Sequence, residues 1–138
     1  MVNTISMQDI RHLNLFGKVT RVSTRHCFNY NETIFFGVPK QLLSKAIGEK
    51  GKNVRKINET LGKKVKIIPI PRSVEDAKFF ISKIVEPVEF KELEIKEDEI
   101  VLTAGGQSKA ALLGRNKRRL AEMQKIVADF FKRDFRIV

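Results

Sequence analysis

An offset of 66 residues, the distance from Gly48 to Gly114, lays this sequence on itself. The same offset carries Ile34 onto Ile100, Phe36 onto Leu102, Val54 onto Leu120 and Ile57 onto Met123, so apolar positions return onto apolar positions and glycine onto glycine. A repeat of this length is one supersecondary unit used twice, each copy burying its own apolar face. The 138 residues suffice for one ordinary domain or two small ones, and a 42% hydrophobic content is enough for a packed core. The expected class is α+β, with one unit over residues 1–71 and a second over 72–138.

Periodicity fills in each copy. Ser6 and Asp9 form a helix-start signal, and Met7, Ile10, Leu13 and Phe16 follow at helical spacing, which predicts a helix to about Leu15. From Val19 the period becomes two: Val22, Thr24, His26, Phe28 and Tyr30 alternate with their neighbours, a strand pattern that turns at Asn29 to Glu32. A second strand covers Thr33 to Val38. Pro39 then opens a short helix, a basic helix follows Gly51 and ends at Gly62, and Val65, Ile67 and Ile70 form a last strand. The order restarts at Ser73-Val74-Glu75-Asp76, with Val74, Ala77, Ile81 and Ile84 on one helical face stopped by Pro87. A strand with a bulge is expected over Val88 to Ile95, another at Ile100 to Thr103, a helix with Leu120, Met123, Val127 and Phe130 inward, and a final strand at Phe135 to Val138.

The chemistry gathers where the two copies share their glycine. Gly48-Glu49-Lys50-Gly51 joins two helices, and a turn bracketed by glycines leaves its N–H groups uncovered by side chains. The helix that begins there points its unpaired N–H groups and the positive end of its dipole at the same spot, a seat for phosphate. Ile47 precedes the loop, and Lys50, Lys52, Asn53, Arg55 and Lys56 surround it, with Glu49 opposing them. In the second copy the loop is Leu113-Gly114-Arg115-Asn116-Lys117-Arg118-Arg119. Lys117 stands where the first copy has glycine, so this loop is expected to hold phosphate mainly through side chains. G-x-x-G alone is a weak signal that usually marks only a turn.

The run Ala46-Ile47-Gly48-Glu49-Lys50-Gly51-Lys52-Asn53-Val54 resembles the signature loop of the KH domain, an RNA-binding module that clamps about four nucleotides of single-stranded RNA. The order helix, strand, strand, helix, loop, helix, strand is that of the prokaryotic, type II KH domain, a three-stranded sheet packed against three helices. Two in tandem, together with Phe16-Gly17-Lys18-Val19 and Arg25-His26-Cys27, resemble the archaeal NusA-type transcription elongation and termination factors. Bacterial members carry a polymerase-binding domain and an S1 domain for which 138 residues leave no room. The resemblance implies a binding protein that is not an enzyme, with single-stranded RNA as partner, a nascent transcript above all, and RNA polymerase as a second candidate. A ribosome-associated KH protein is the alternative. Bases would turn toward a groove floored by Ala46, Ile47 and Val54.

Charge agrees with that partner: 27 Lys and Arg against 16 Asp and Glu give a net charge of +11, the balance of a polyanion-binding protein. No P-loop is spelled, because Gly51-Lys52 is followed by Asn53 and Gly105-Gly106-Gln107-Ser108-Lys109 misses the spacing. The single Cys27 excludes an internal disulfide, and with His12 and His26 it makes no metal-ligand set of recognisable spacing, so neither metal nor cofactor is expected. Cys27 reads as an inward-facing or edge residue. The phenylalanines at 28, 35, 36, 79, 80, 130 and 131 read as core by periodicity. With no long apolar run and no signal-peptide layout, a cytoplasmic protein without membrane attachment is expected, and a monomer because each unit completes its own fold.

Overall fold

The computed structural model describes residues 7–138, so the expected cap at Ser6 lies outside the described residues. The chain divides into two compact units, the first ending at Ile70 and the second running Pro71–Val138. Among the described residues the fold is α+β, with six α-helices and two three-stranded sheets.

In the first unit α1 spans Met7–Thr20, β1 His26–Tyr30, β2 Thr33–Val38, α2 Leu43–Ile47, α3 Lys52–Leu61 and β3 Lys64–Pro69. β2 is central, antiparallel to β1 with Phe28 opposite Phe35, and parallel to β3 with Ile34 opposite Val65 and Phe36 opposite Ile67. Parallel neighbours need a long crossover, and here it consists of α2, the glycine loop and α3. Ile34, Phe36 and Val38 face the helices, where Phe16 stacks on Phe36 at 4.5 Å, and Val22, Ala46, Ile57, Val65 and Ile67 complete the core. On the opposite face Phe28 stacks on Phe35 at 5.3 Å. Each fully buried phenylalanine contributes about 1.5 to 3 kcal/mol by leaving water.

The first helix runs five residues beyond the expected end, and the strand starts at His26 rather than near Val19. Thr20 explains the difference: its Oγ1 donates back to the Phe16 carbonyl at 2.8 Å and accepts from the Val22 N–H at 3.0 Å, closing the helix with a side chain. Arg21 then takes φ 62°, which turns the chain toward the sheet.

The second unit repeats the plan with α4 Ala77–Val85, β4 Glu92–Ile95, β5 Glu99–Thr103, α5 Gly106–Leu113, α6 Arg118–Phe131 and β6 Asp134–Ile137. β5 is central, antiparallel to β4 and parallel to β6. Ser73 caps the turn before α4, accepting the Glu75 N–H at 3.3 Å. The strand expected from Val88 begins only at Glu92, because the chain after Pro87 is still turning, with the Val88 N–H bonded to the Val85 carbonyl. The inner face of α6 is Met123, Ile126, Val127 and Phe131, while Leu120 and Phe130 are half-buried. Phe79 is 55% exposed rather than core, since it lies off the stripe of Ala77, Phe80, Ile81 and Ile84, and the Lys83 ammonium sits 5.4 Å from its ring centre. The offset of 66 holds from β1 and β4 through the loops; α6 is then 14 residues against 10 for α3, so the last strands fall four residues further apart.

Candidate nucleic-acid interface

The two loops have one backbone. Gly48 holds φ 80°, ψ 165° and Gly114 φ 74°, ψ 175°; Lys50 and Asn116 take φ 56° and 55°; Gly51 and Lys117 take φ 73° and 58°. Each loop closes with the same two hydrogen bonds. Gly48 N donates to the Ser44 carbonyl at 3.0 Å and Gly51 N to Gly48 at 3.1 Å, matched by Gly114 N to Ala110 at 3.0 Å and Lys117 N to Gly114 at 3.1 Å. The first glycine is obligatory on two counts. Its φ and ψ lie where essentially only glycine goes. A Cβ at Gly48 would come 2.9 Å from the Asn53 side chain, and one at Gly114 2.8 Å from that of Arg119.

Those two contacts expose a device that motif reading misses. Asn53 Nδ2 donates to the carbonyls of Lys45 at 3.3 Å and Ala46 at 3.1 Å, and Arg119 Nη1 donates to the Ala111 carbonyl at 2.9 Å. Asn53 and Arg119 are equivalent by the repeat, as are Lys45 and Ala111. Each side chain leaves the first turn of the second helix and latches the last turn of the first, fixing the loop between them. The available signal was the offset itself, which pairs two long hydrogen-bond donors five residues after each glycine.

The other expected site residues fall around this frame. Glu49, Lys50, Lys52, Arg55 and Lys56 are exposed at the first loop, as are Arg115, Asn116, Lys117 and Arg118 at the second. Arg55 folds back so that its Nη1 donates to the Lys50 carbonyl. Ile47 and Leu113 are half-buried at the helix ends, as is Val54, whereas Ala46 is fully buried and belongs to the core rather than to a groove floor. Neither α3 nor α6 has a side-chain cap or an acidic residue in its first turn. Helix starts ordinarily favour carboxylates; the first turns of α3 and α6 carry Lys52 and Arg55, and Arg118 and Arg119, instead. Charge is unevenly shared: residues 1–70 hold 13 Lys and Arg against 4 Asp and Glu, residues 71–138 hold 14 against 12.

Away from the loops, Asp9, His12 and Cys27 come together between α1 and β1. Burial pushes the Cys27 thiol up to about 12, Asp9 adding to the shift, and burial holds the His12 imidazole below its ordinary value. Such a thiol is a poor nucleophile.

No family model matches the chain. It is similar to the probable transcription termination protein NusA of Methanococcus vannielii, 31% identical over 93 residues, which are 67% of this chain and 52% of that protein. The protein of the same description from Halococcus morrhuae is 27% identical over 135 residues, covering 91% and 95%. That of Methanocaldococcus jannaschii is 29% identical over 92 residues, covering 67% and 49%. The chain thus spans about half the length of the two methanogen relatives and nearly all of the Halococcus one. Its fold is similar to the crystal structure of APE1850, with a TM-score of 0.65 over 97% of this chain and 99% of that chain at 20% identity. By these likenesses in sequence, the chain is a NusA-like protein of the archaeal kind.

Proposed function

We propose that the chain is a single-stranded RNA-binding factor of transcription elongation or termination, built as two tandem type II KH domains over residues 1–71 and 72–138. RNA phosphates sit on the loop from Gly48 to Gly51 and on the start of α3, within reach of Lys50, Lys52, Arg55 and Lys56. The second loop contributes through Arg115, Lys117 and Arg118 around the start of α6. Ile47, Val54 and Leu113, half-buried beside the loops, offer apolar edges to the bases. One RNA strand engaging both loops binds more tightly than either loop alone provides. The protein turns nothing over; it acts by holding RNA in the neighbourhood of RNA polymerase in the cytoplasm, as a monomer.

The observation that carries this is the pair of helix starts without acid or cap, each opened by a glycine loop of the same backbone and collared by cations. The relatives, described as probable transcription termination proteins, support the transcriptional context. The test is binding of a short single-stranded RNA across a salt series, with duplex RNA and DNA as competitors. Lys50→Glu/Lys52→Glu, which leaves both glycines of the first loop in place, should abolish binding while circular dichroism stays native, and Arg115→Glu/Lys117→Glu should weaken it less. Equal binding of every polyanion by all three proteins would reduce the loops to turns and the chain to a charged scaffold.

A further inference from the structure

A ring nitrogen of His12, the Sγ of Cys27 and a carboxylate oxygen of Asp9 lie within 4.8 Å of one another. Asp9 and His12 are three residues apart on α1 and so share a face; Cys27 comes from the edge strand β1 packed beside that helix. His12 is only 7% exposed, and its Nδ1 is buried without a hydrogen-bond partner. A native interior rarely leaves such a nitrogen unpaired, and when it does a missing ligand is one of the standard explanations. We propose that Asp9, His12 and Cys27 form a binding site for a divalent transition-metal ion of the zinc class, tying the first turns of α1 to the sheet.

The donor set selects the ion. Thiolate, imidazole and carboxylate together suit Zn²⁺ and its first-row neighbours, while Ca²⁺ and Mg²⁺ require oxygen donors throughout. A tetrahedral ion with bonds of about 2.0 to 2.3 Å brings its ligand atoms to roughly 3.4 to 3.7 Å from one another. The three atoms, within 4.8 Å of one another, must draw in by about 1 Å to reach that spacing. Asp9 is half-exposed, so the cluster borders solvent on that side, from which water would come as the fourth ligand. Binding breaks the Cys27 S–H bond and forms a metal–sulfur bond, the proton passing to solvent; His12 binds through one nitrogen and keeps its proton on the other. A Cys-His-Asp catalytic reading is disfavoured, since a thiol pushed up to about 12 supplies almost no thiolate without a metal.

The test uses the full chain without an affinity tag, stripped with a chelator and titrated with Co²⁺, then with Zn²⁺ against a chromophoric chelator. One equivalent of Co²⁺ should produce a thiolate-to-metal charge-transfer absorption that Zn²⁺ abolishes. Because the chain has a single cysteine, that band can come only from Cys27, whether or not any variant folds. Cys27→Ser should remove the band, and His12→Gln and Asp9→Asn should each weaken Zn²⁺ binding at least tenfold. Absence of the band at saturating Co²⁺ overturns the site. So does a Zn²⁺ affinity unchanged in both His12→Gln and Asp9→Asn.

Discussion

Gly51 and Lys117 occupy one backbone position 66 residues apart, at φ 73° and 58°, and reach it by different means. Glycine pays nothing sterically to enter the left-handed region, whereas lysine is strained there by about 1 to 2 kcal/mol. The contrast recurs at the end of the following helix, where Gly62 holds φ 65° and its counterpart Lys132 holds φ 58°. Twice, then, the second unit keeps a geometry that the first obtains from glycine and places an ammonium there. The first loop is not free of such strain, since Lys50 holds φ 56° where the second has Asn116; the units differ in which position of the turn carries the left-handed lysine, and the first carries most of the excess positive charge.

The sharpest attack on the shared backbone is the first glycine of each loop. Gly48→Ala and Gly114→Ala should each destabilise their unit by about 1 to 3 kcal/mol in denaturant melts, from the glycine-only torsions, with the Cβ contacts adding to it. A neutral Gly114→Ala would mean that the second loop relaxes into another conformation and the equivalence is lost. Exchanging the third-position residues comes next. Lys117→Gly and Lys132→Gly should each stabilise the chain by about 1 kcal/mol, and Gly51→Lys should destabilise it by a similar amount. Lys117→Gly should also lower the dependence of log affinity on log salt by about 0.7, one phosphate contact. An unchanged slope would leave Lys117 outside the interface.

The latches separate geometry from charge. Asn53→Ala should cost about 1 kcal/mol of stability and weaken RNA binding without altering the salt slope, because a neutral side chain bonded to two carbonyls contributes only shape. Arg119→Ala should cost a similar amount of stability and flatten the slope as well. Isothermal titrations at several salt concentrations distinguish the two outcomes. Smallest is the pair Arg136 Nε to Glu99 Oε1 at 2.7 Å, which the first unit lacks, having Thr33 and Lys66 at the matching places. The hydrogen bond from Arg136 holds the Glu99 carboxyl below its usual range, so any contribution is fully present above that range and lost as the pH falls below it through the lowered folded value. Both groups are exposed to solvent, and Glu99→Gln should leave the melting temperature unchanged at neutral pH.

Much of this was legible from residues alone because the repeat supplied two readings of one plan. The strands at Thr33 to Val38 and around Ile100 stood out as continuous apolar runs, and both loops were marked by glycine and charge. The end of α1 was not legible, because Thr20 ends that helix through a hydroxyl bonded to its own backbone, while the alternation from Val19 onward imitates a strand. Phe79 misled because adjacent aromatics on a helix cannot all face inward. The latches were hidden for another reason: Asn53 and Arg119 look like ligand-binding groups, and only three-dimensional placement shows the Asn53 amide and one Arg119 nitrogen bonded to carbonyls. Asp9, His12 and Cys27 belong to a helix and a strand, and no linear spacing brings them together.

Every residue of β2 is buried, and the strand is bonded on one side to β1 and on the other to β3. Its amides therefore have no local route to deuterium; they exchange only when the hairpin and the crossover come apart together. β5 holds the equivalent place in the second unit. Peptides from these two strands thus act as separate clocks within one molecule, each timing the opening of its own unit. Read with and without RNA, they would assign the energy of binding to one loop or the other without changing a single residue.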